Sequence, residues 1–69
     1  MGQAKMISSR EIIKILEADG WYRVNSEGSH FQFVHPTKPG KVTVPHPKKD
    51  FSQEMIKRME RQSGLKFRR

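Results

Sequence analysis

The amino-acid sequence predicts an α+β fold in which a helix, a three-stranded antiparallel sheet and a second helix follow one another, with both helices on one face of the sheet. Apolar residues recur at helical spacing near both ends of the chain and at alternate positions between them. The 69 residues suffice for one domain, which we expect to span 1–69. We expect residues 1–5 to form a disordered extension and residues 68–69 a ragged end.

The first helix is predicted over residues 8–19. Ser8 is followed three positions later by Glu11, the spacing of a capping box in which each side chain bonds the other residue's backbone N–H. Gly20 can adopt the left-handed conformation that ends a helix. The apolar stripe between these signals consists of Ile12, Ile13, Ile15 and Leu16.

A first strand is predicted from Trp21 to a turn at residues 26–28. Alternation puts Trp21, Arg23 and Asn25 on one face and Tyr22 and Val24 on the other. Aromatic side chains stack on bases in proteins that bind single strands, but in so small a chain Trp21 and Tyr22 are expected to belong to the core.

The second strand is predicted over residues 30–35 and the third over 41–45, separated by a loop rich in proline and glycine. Alternation directs His30, Gln32 and Lys41 to the face that the helices leave open. The inward residues of the two strands are predicted to be Phe31, Phe33, Val42 and Val44.

A second helix follows the segment Pro45, His46 and Pro47, with Asp50 or Ser52 as its N-cap and Gly64 at its end. Its apolar stripe is predicted to consist of Phe51, Met55, Ile56 and Met59.

Charge is distributed unevenly along the chain. The net charge is +7, from 14 basic and 7 acidic side chains. Residues 1–37 contain four of each sign, whereas residues 38–69 contain ten basic and three acidic side chains. Such an excess on a small domain is typical of nucleic-acid binding, although a solvated basic surface is the alternative. The second half is therefore predicted to attract a polyanion or an acidic partner.

The composition also restricts the type of protein. Without cysteine the chain has neither disulfides nor a thiolate metal site, which fits a reducing compartment. No apolar run approaches the roughly 20 residues of a membrane span, and residues 1–6 lack the apolar stretch of a signal peptide. We expect a protein of the cytoplasm that does not associate with membranes and needs no cofactor.

His30, His35 and His46 are the three histidines and the natural candidates for proton transfer near neutral pH. Their spacings of five and eleven match no short metal-ligand motif, so we expect no metal site. His30 follows Gly28 and Ser29, where a turn without a side chain would let a phosphate approach the backbone. Spacing alone leaves open that Gly28 is an ordinary turn glycine and His30 an ordinary exposed residue.

Further residues are predicted to contact a phosphate backbone. Lys41 flanks the open face, and Lys48 and Lys49 precede the second helix, whose N-terminus attracts anions. His46 is a candidate for the same role, although a histidine between prolines is more often structural. His35 is expected to be structural.

The chain resembles the HicA (YcfA-like) toxin family from about residue 6 to residue 67. The resemblance lies in the following residues: Ser8, Arg10, Glu11, Leu16, Gly20, Trp21, Gly28, Ser29, His30, Phe31, Gln32, Phe33, His35, Pro36, Val42, Thr43, Val44, Pro45, His46, Arg61, Gln62, Ser63, Gly64 and Leu65. It implies a fold similar to the double-stranded-RNA-binding domain. It also implies a prokaryotic messenger-RNA interferase with a role in stress responses, held inactive by a HicB antitoxin.

Carried over by position, the resemblance assigns the catalytic histidine to His30 and the turn glycine to Gly28. The chain departs from the family at residues 50–55, where a Gly-Thr pair usually begins the last helix. The expected function is therefore cleavage of messenger RNA by a single histidine without a metal, under the control of an antitoxin that covers His30. The alternative is a non-catalytic RNA-binding module of the same fold.

Overall fold

The structure, a computed structural model, describes residues 7–67, so the expectations for residues 1–5 and 68–69 lie outside it. The three strands form one antiparallel sheet in the order β1-β2-β3. Helix, three strands and helix follow one another as predicted. The elements are α1 (Ser9–Ala18), β1 (Tyr22–Glu27), β2 (His30–Val34), β3 (Val42–Pro45) and α2 (Gln53–Ser63).

The capping box at the start of α1 is present. Ser8 Oγ accepts the Glu11 N–H at 3.3 Å, and Glu11 Oε1 accepts the Ser8 N–H at 3.2 Å. These bonds satisfy two of the N–H groups that a helix start leaves without partners. Ile12 and Leu16 are fully buried against the sheet, which fixes the face that α1 turns inward.

The register between β1 and β2 contains a β-bulge between Arg23 and Asn25. Arg23 pairs with Phe33 on the helix-covered face, but Asn25 pairs with Gln32, on the opposite face. The prediction that Arg23 and Asn25 share a face was therefore wrong. A bulge inserts one extra residue into a strand and so reverses the alternation beyond it.

The predicted turn at residues 26–28 was also placed too early. Strand β1 continues to Glu27, which pairs with His30, and the turn consists of Gly28 and Ser29. Gly28 has φ +60°, and Ser29 does not have a positive φ. Positive φ at the first of two turn residues belongs to the type II′ hairpin, whose twist matches that of paired strands and which favours glycine at that place.

The core lies between the helices and one face of the sheet. Trp21 is 2% exposed and belongs to it, as predicted. Tyr22 is 52% exposed, so its assignment to the core was wrong. Tyr22 pairs with Val34 on the open face, which no helix covers. The buried apolar residues are Ile12, Leu16, Trp21, Phe33, Val42, Val44, Ile56, Met59 and Phe67.

Ser52, rather than Asp50, caps α2 by accepting the Met55 N–H at 3.2 Å. Gly64 ends the helix in the left-handed conformation, with φ +76°. Strand β2 ends at Val34, one residue before the predicted boundary, and β3 starts at Val42, one residue after it. Within residues 7–67, no helix has the length and apolar character needed to cross a membrane.

Candidate functional site

His30 lies on the open face of the sheet, at the first position of β2, and its side chain is exposed. The strand pairing puts it between Glu27 of β1 and Pro45 of β3. Phe31 turns the other way and packs toward the helices. The imidazole contributes little to packing and is accessible to a large ligand.

Gly28 and Ser29 form the turn directly before His30. A Cβ on Gly28 would meet no atom within 4 Å, so the turn leaves open space beside the backbone. The Ser29 carbonyl accepts the His46 N–H at 2.7 Å, which ties the turn to the end of β3. The turn that precedes His30 is therefore both held in place and sterically open.

Lys41 lies next to β3 on the open face, where its Nζ approaches Gln32 Oε1 at 3.5 Å. Gln32 is two residues from His30 on the same face of β2. The structure thus puts the sequence-predicted Lys41 and His30 on one surface, which also includes Asn25.

Lys48 and Lys49 follow β3 in the connection to α2, and both are exposed. The Lys48 carbonyl accepts the Ser9 N–H at 2.8 Å, and the Lys48 N–H donates to Ser9 Oγ at 2.9 Å. The Lys48 ammonium lies 5.7 Å from the centre of the Phe51 ring. The two lysines therefore lie beside the N-terminus of α1, beyond the end of β3 that pairs with His30.

His46 is half-buried on the helix side of the sheet, away from the surface of His30. Its ring packs against Phe31, with 4.9 Å between the ring centres. Its Nδ1 lies 2.7 Å from Ser9 Oγ. Because Ser9 Oγ already accepts the Lys48 N–H, the hydroxyl proton is available to Nδ1, an arrangement that places the imidazole proton on Nε2.

His35 has a structural position, as expected. Its Nδ1 accepts the backbone N–H groups of Thr37 and Lys38 at 3.0 and 3.2 Å. The proton must then reside on Nε2, which donates to the Asp19 carbonyl at 2.7 Å. The ring also meets Trp21 edge to face at 5.2 Å between centres. His35 thereby fastens the loop after β2 to the end of α1.

The carboxyl of Asp19 has a lowered pKa, and its neighbours explain the direction. The Lys38 ammonium, hydrogen-bonded to Asp19 Oδ2 at 2.6 Å, lowers the pKa of this carboxyl below its usual value. The Trp21 indole N–H donates to the same oxygen at 3.2 Å and acts in the same direction. Partial desolvation opposes both.

Glu27 is a neighbour of His30 that sequence reasoning missed. It is the cross-strand partner of His30 on the open face, where side chains directly opposite each other lie close together. Had the sequence analysis placed a two-residue hairpin turn at Gly28 and Ser29, it would have predicted that Glu27 pairs with His30. Among residues 7–67, no three His, Cys, Asp or Glu side chains come together as metal ligands do.

The family model of the HicA toxin of bacterial toxin-antitoxin systems matches residues 9–65. The chain belongs to the HicA toxin family. The match spans α1 to the residue after Gly64, so it includes both helices and the whole sheet. No curated protein matches the chain significantly. Membership of the HicA family confirms the resemblance found in the sequence and makes this protein a toxin with an antitoxin as its partner.

Proposed function

We propose that this HicA toxin is an endoribonuclease that cleaves messenger RNA in the cytoplasm without a metal ion and so inhibits translation and growth. The proposal is supported mainly by the position of His30. Its exposed imidazole follows an open glycine turn, on the sheet face that no helix covers. Family membership adds the role of a toxin.

The chemistry requires a base for the 2′-hydroxyl proton, a proton for the departing 5′-oxygen, and cations for the added negative charge of the phosphorane. In the proposal His30 transfers protons, while Gly28 and Ser29 let the phosphate approach the backbone. Glu27 orients the imidazole. Lys41, Lys48, Lys49 and His46 are the proposed RNA contacts.

The proposal is tested by incubating purified protein with a long messenger RNA in excess chelator, beside His30→Ala. We expect wild-type protein to cleave and His30→Ala to be inactive. Gln32→Ala removes a polar side chain from the same face of the same strand and is the matched control. His30→Ala should melt within a few degrees of wild type, because substitutions at exposed positions usually alter stability by about 0.5 kcal/mol or less. Cleavage by His30→Ala at the wild-type rate would refute the assignment and leave His46 as the next candidate.

A second substrate tests the role of the 2′-hydroxyl. The same RNA with 2′-O-methyl groups should bind with similar affinity and remain intact, because it offers no proton for the base to remove. Cleavage of the methylated RNA would contradict the mechanism. Binding of unmodified RNA without any cleavage would instead favour the non-catalytic RNA-binding module, for which the exposed Lys57, Arg58 and Arg61 of α2 supply basic groups.

We further propose that the partner is an acidic HicB-type antitoxin that covers the open face and contacts His30. A shallow site on so small a domain is most simply inhibited by occlusion, and a basic protein favours an acidic partner. Mixing the two proteins should remove RNA binding and RNA cleavage together. A complex that retains full activity would contradict this proposal.

A further inference from the structure

A second concave surface lies on the side of the sheet opposite His30, between α1 and strands β1 and β2. Its volume is about 470 Å³, within the range of roughly 300–1,000 Å³ typical of small-molecule sites. Phe31 and the ring of His46 contribute to its walls. Three cationic side chains, Arg10, Lys14 and Arg23, line it as well. We call it the α1/β1 cleft.

The cations come from two elements that the fold brings together. Arg10 and Lys14 are four residues apart on α1 and therefore share one face of the helix. Arg23 reaches the cleft from β1, because it lies before the bulge and points to the helix side. Glu17 is the one acidic residue of the lining, so the formal charge of the cleft is +2 with His46 neutral.

The acidic side chains of residues 1–37 equal the basic ones in number, but the fold places most of them away from the cleft. Glu11 is engaged in the capping box, and Asp19 in the ion pair with Lys38. Glu27 lies on the open face of the sheet beside His30. Three of the four cations, Arg10, Lys14 and Arg23, thus gather in the α1/β1 cleft, while three of the four acidic side chains lie elsewhere.

The aromatic part of the cleft is preorganised. The Arg23 guanidinium lies 4.7 Å from the centre of the Phe31 ring, within the range of a cation–π contact. A planar guanidinium stacked on an aromatic ring offers a stacking surface for a base and donors for a phosphate. His46 adds a second ring, fixed through Nδ1 by Ser9, which is 1% exposed.

We propose that the α1/β1 cleft binds one nucleotide of single-stranded RNA, with its base against Arg23 and Phe31 and its phosphate between Arg10 and Lys14. The proposal rests on the proposed function and extends it to a second contact point for the substrate. His30 and Phe31 are consecutive, so their Cα atoms are about 3.8 Å apart although their side chains face opposite sides. An RNA strand that passes over the turn at Gly28 can therefore contact both His30 on the open face and the α1/β1 cleft.

Among polyanions, RNA fits the cleft better than an acidic peptide does. Both would satisfy the cations, but only a nucleotide has a base that can stack on the planar groups of Arg23 and Phe31. Each nucleotide carries a planar base beside its phosphate, whereas an acidic peptide offers carboxylates without a planar group to stack on Arg23 and Phe31. The peptide is therefore the competing outcome of the experiment.

The experiment uses the His30→Ala protein, so that RNA stays intact, and follows its backbone amide NMR signals during titration with 5′-AMP. We expect the shifts to concentrate at the cleft residues. Affinity for a short unstructured RNA is then measured by fluorescence anisotropy. Arg10→Gln with Lys14→Gln should weaken binding about fourfold at physiological salt, the loss expected when one phosphate contact is removed.

The matched control is Lys57→Gln with Arg61→Gln, which removes two charges from exposed positions of α2. Equal weakening by both pairs would overturn the proposal, because the effect would then reflect net charge only. The proposal would also be overturned if 5′-AMP changed amide signals only outside the cleft. The same holds if a hexaglutamate peptide occupied the cleft while 5′-AMP did not. If RNA is cleaved by the wild type but AMP never reaches the cleft, the inference fails and the proposed function stands. If AMP fills the cleft but no RNA is cleaved, the proposed function fails and the nucleotide site stands.

Discussion

Gly20 and Gly28 both have a positive φ, but their surroundings differ. Gly28, at φ +60°, has open space where a Cβ would lie. Gly20, at φ +107°, would place a Cβ 2.9 Å from His35 Nε2, the atom that bonds the Asp19 carbonyl. Gly20 is therefore required by backbone conformation and by packing, whereas Gly28 is required by conformation alone.

We predict that Gly28→Ala lowers the free energy of unfolding by about 1 kcal/mol, the strain of one residue in the left-handed region. Gly20→Ala should lower it by about 3 kcal/mol, because strain is joined by disruption of the His35 hydrogen bond. Urea unfolding of both variants measures the difference. Equal losses would show that the contact with His35 does not restrict position 20.

The lowered pKa of Asp19 predicts how stability depends on pH. A carboxyl whose pKa is lower in the folded chain than in the unfolded chain stabilises the fold above its unfolded value, here 3.8, and loses that contribution as pH falls through the folded value. Asp19→Asn should therefore melt below wild type at pH 6, and the gap should shrink as pH falls below 3.8 toward the lower folded pKa, where wild-type Asp19 becomes neutral as well. Melting curves across pH, with the exposed Glu54→Gln as control, test this. A gap that is constant with pH would contradict it.

At the scale of the elements, Ser9 joins the first turn of α1 to the connection after β3. Its buried hydroxyl serves the Lys48 N–H and His46 Nδ1 at once. The adjacent Ser8 has a different task, since it caps the helix. Two neighbouring serines thus connect different parts of the fold.

Ser9→Ala should lower the free energy of unfolding by about 2 kcal/mol, because a buried N–H and a ring nitrogen lose their partner. It should also change the ¹⁵N shifts of the His46 ring, since the hydroxyl no longer selects the tautomer. Ser8→Ala is the control, with a loss of about 1 kcal/mol for a cap and an unchanged His46 spectrum. Identical His46 spectra in all three proteins would rule out the proposed hydrogen bond.

For the whole molecule, the charge distribution predicts a salt dependence. If the basic surface around Lys41, Lys48 and Lys49, in the second half of the chain, engages about four phosphates of single-stranded RNA, the logarithm of the binding constant should fall with the logarithm of salt concentration at a slope of roughly −3. Lys48→Ala with Lys49→Ala should make the slope shallower by about one unit. His30→Ala should keep the wild-type slope, because the slope reports the phosphate contacts of the lysines and not the proton transfer assigned to His30. Fluorescence anisotropy across a salt series measures all three slopes, and a flat series would contradict the proposed footprint.

The sequence by itself determined the order of the elements, the capping box at Ser8 and the outward position of His30. These features depend on short-range patterns, namely helical and strand periodicity and the chemistry of caps. Membership of the HicA family was also recognisable from the residues along the chain, and the family match over residues 9–65 agrees with it.

Only the tertiary structure decided the features that depend on register and on contacts distant in sequence. Because of the bulge, Asn25 lies on the open face, and no local sequence pattern predicts a bulge of this kind. Alternation put Trp21 and Tyr22 on opposite faces, and only the packing of the helices showed that Tyr22 lies on the face they leave uncovered. The bond between Ser9 and His46 joins residues 37 positions apart. The α1/β1 cleft likewise exists only because packing brings a helix face and a strand together, so charges that cancel along the chain separate in space.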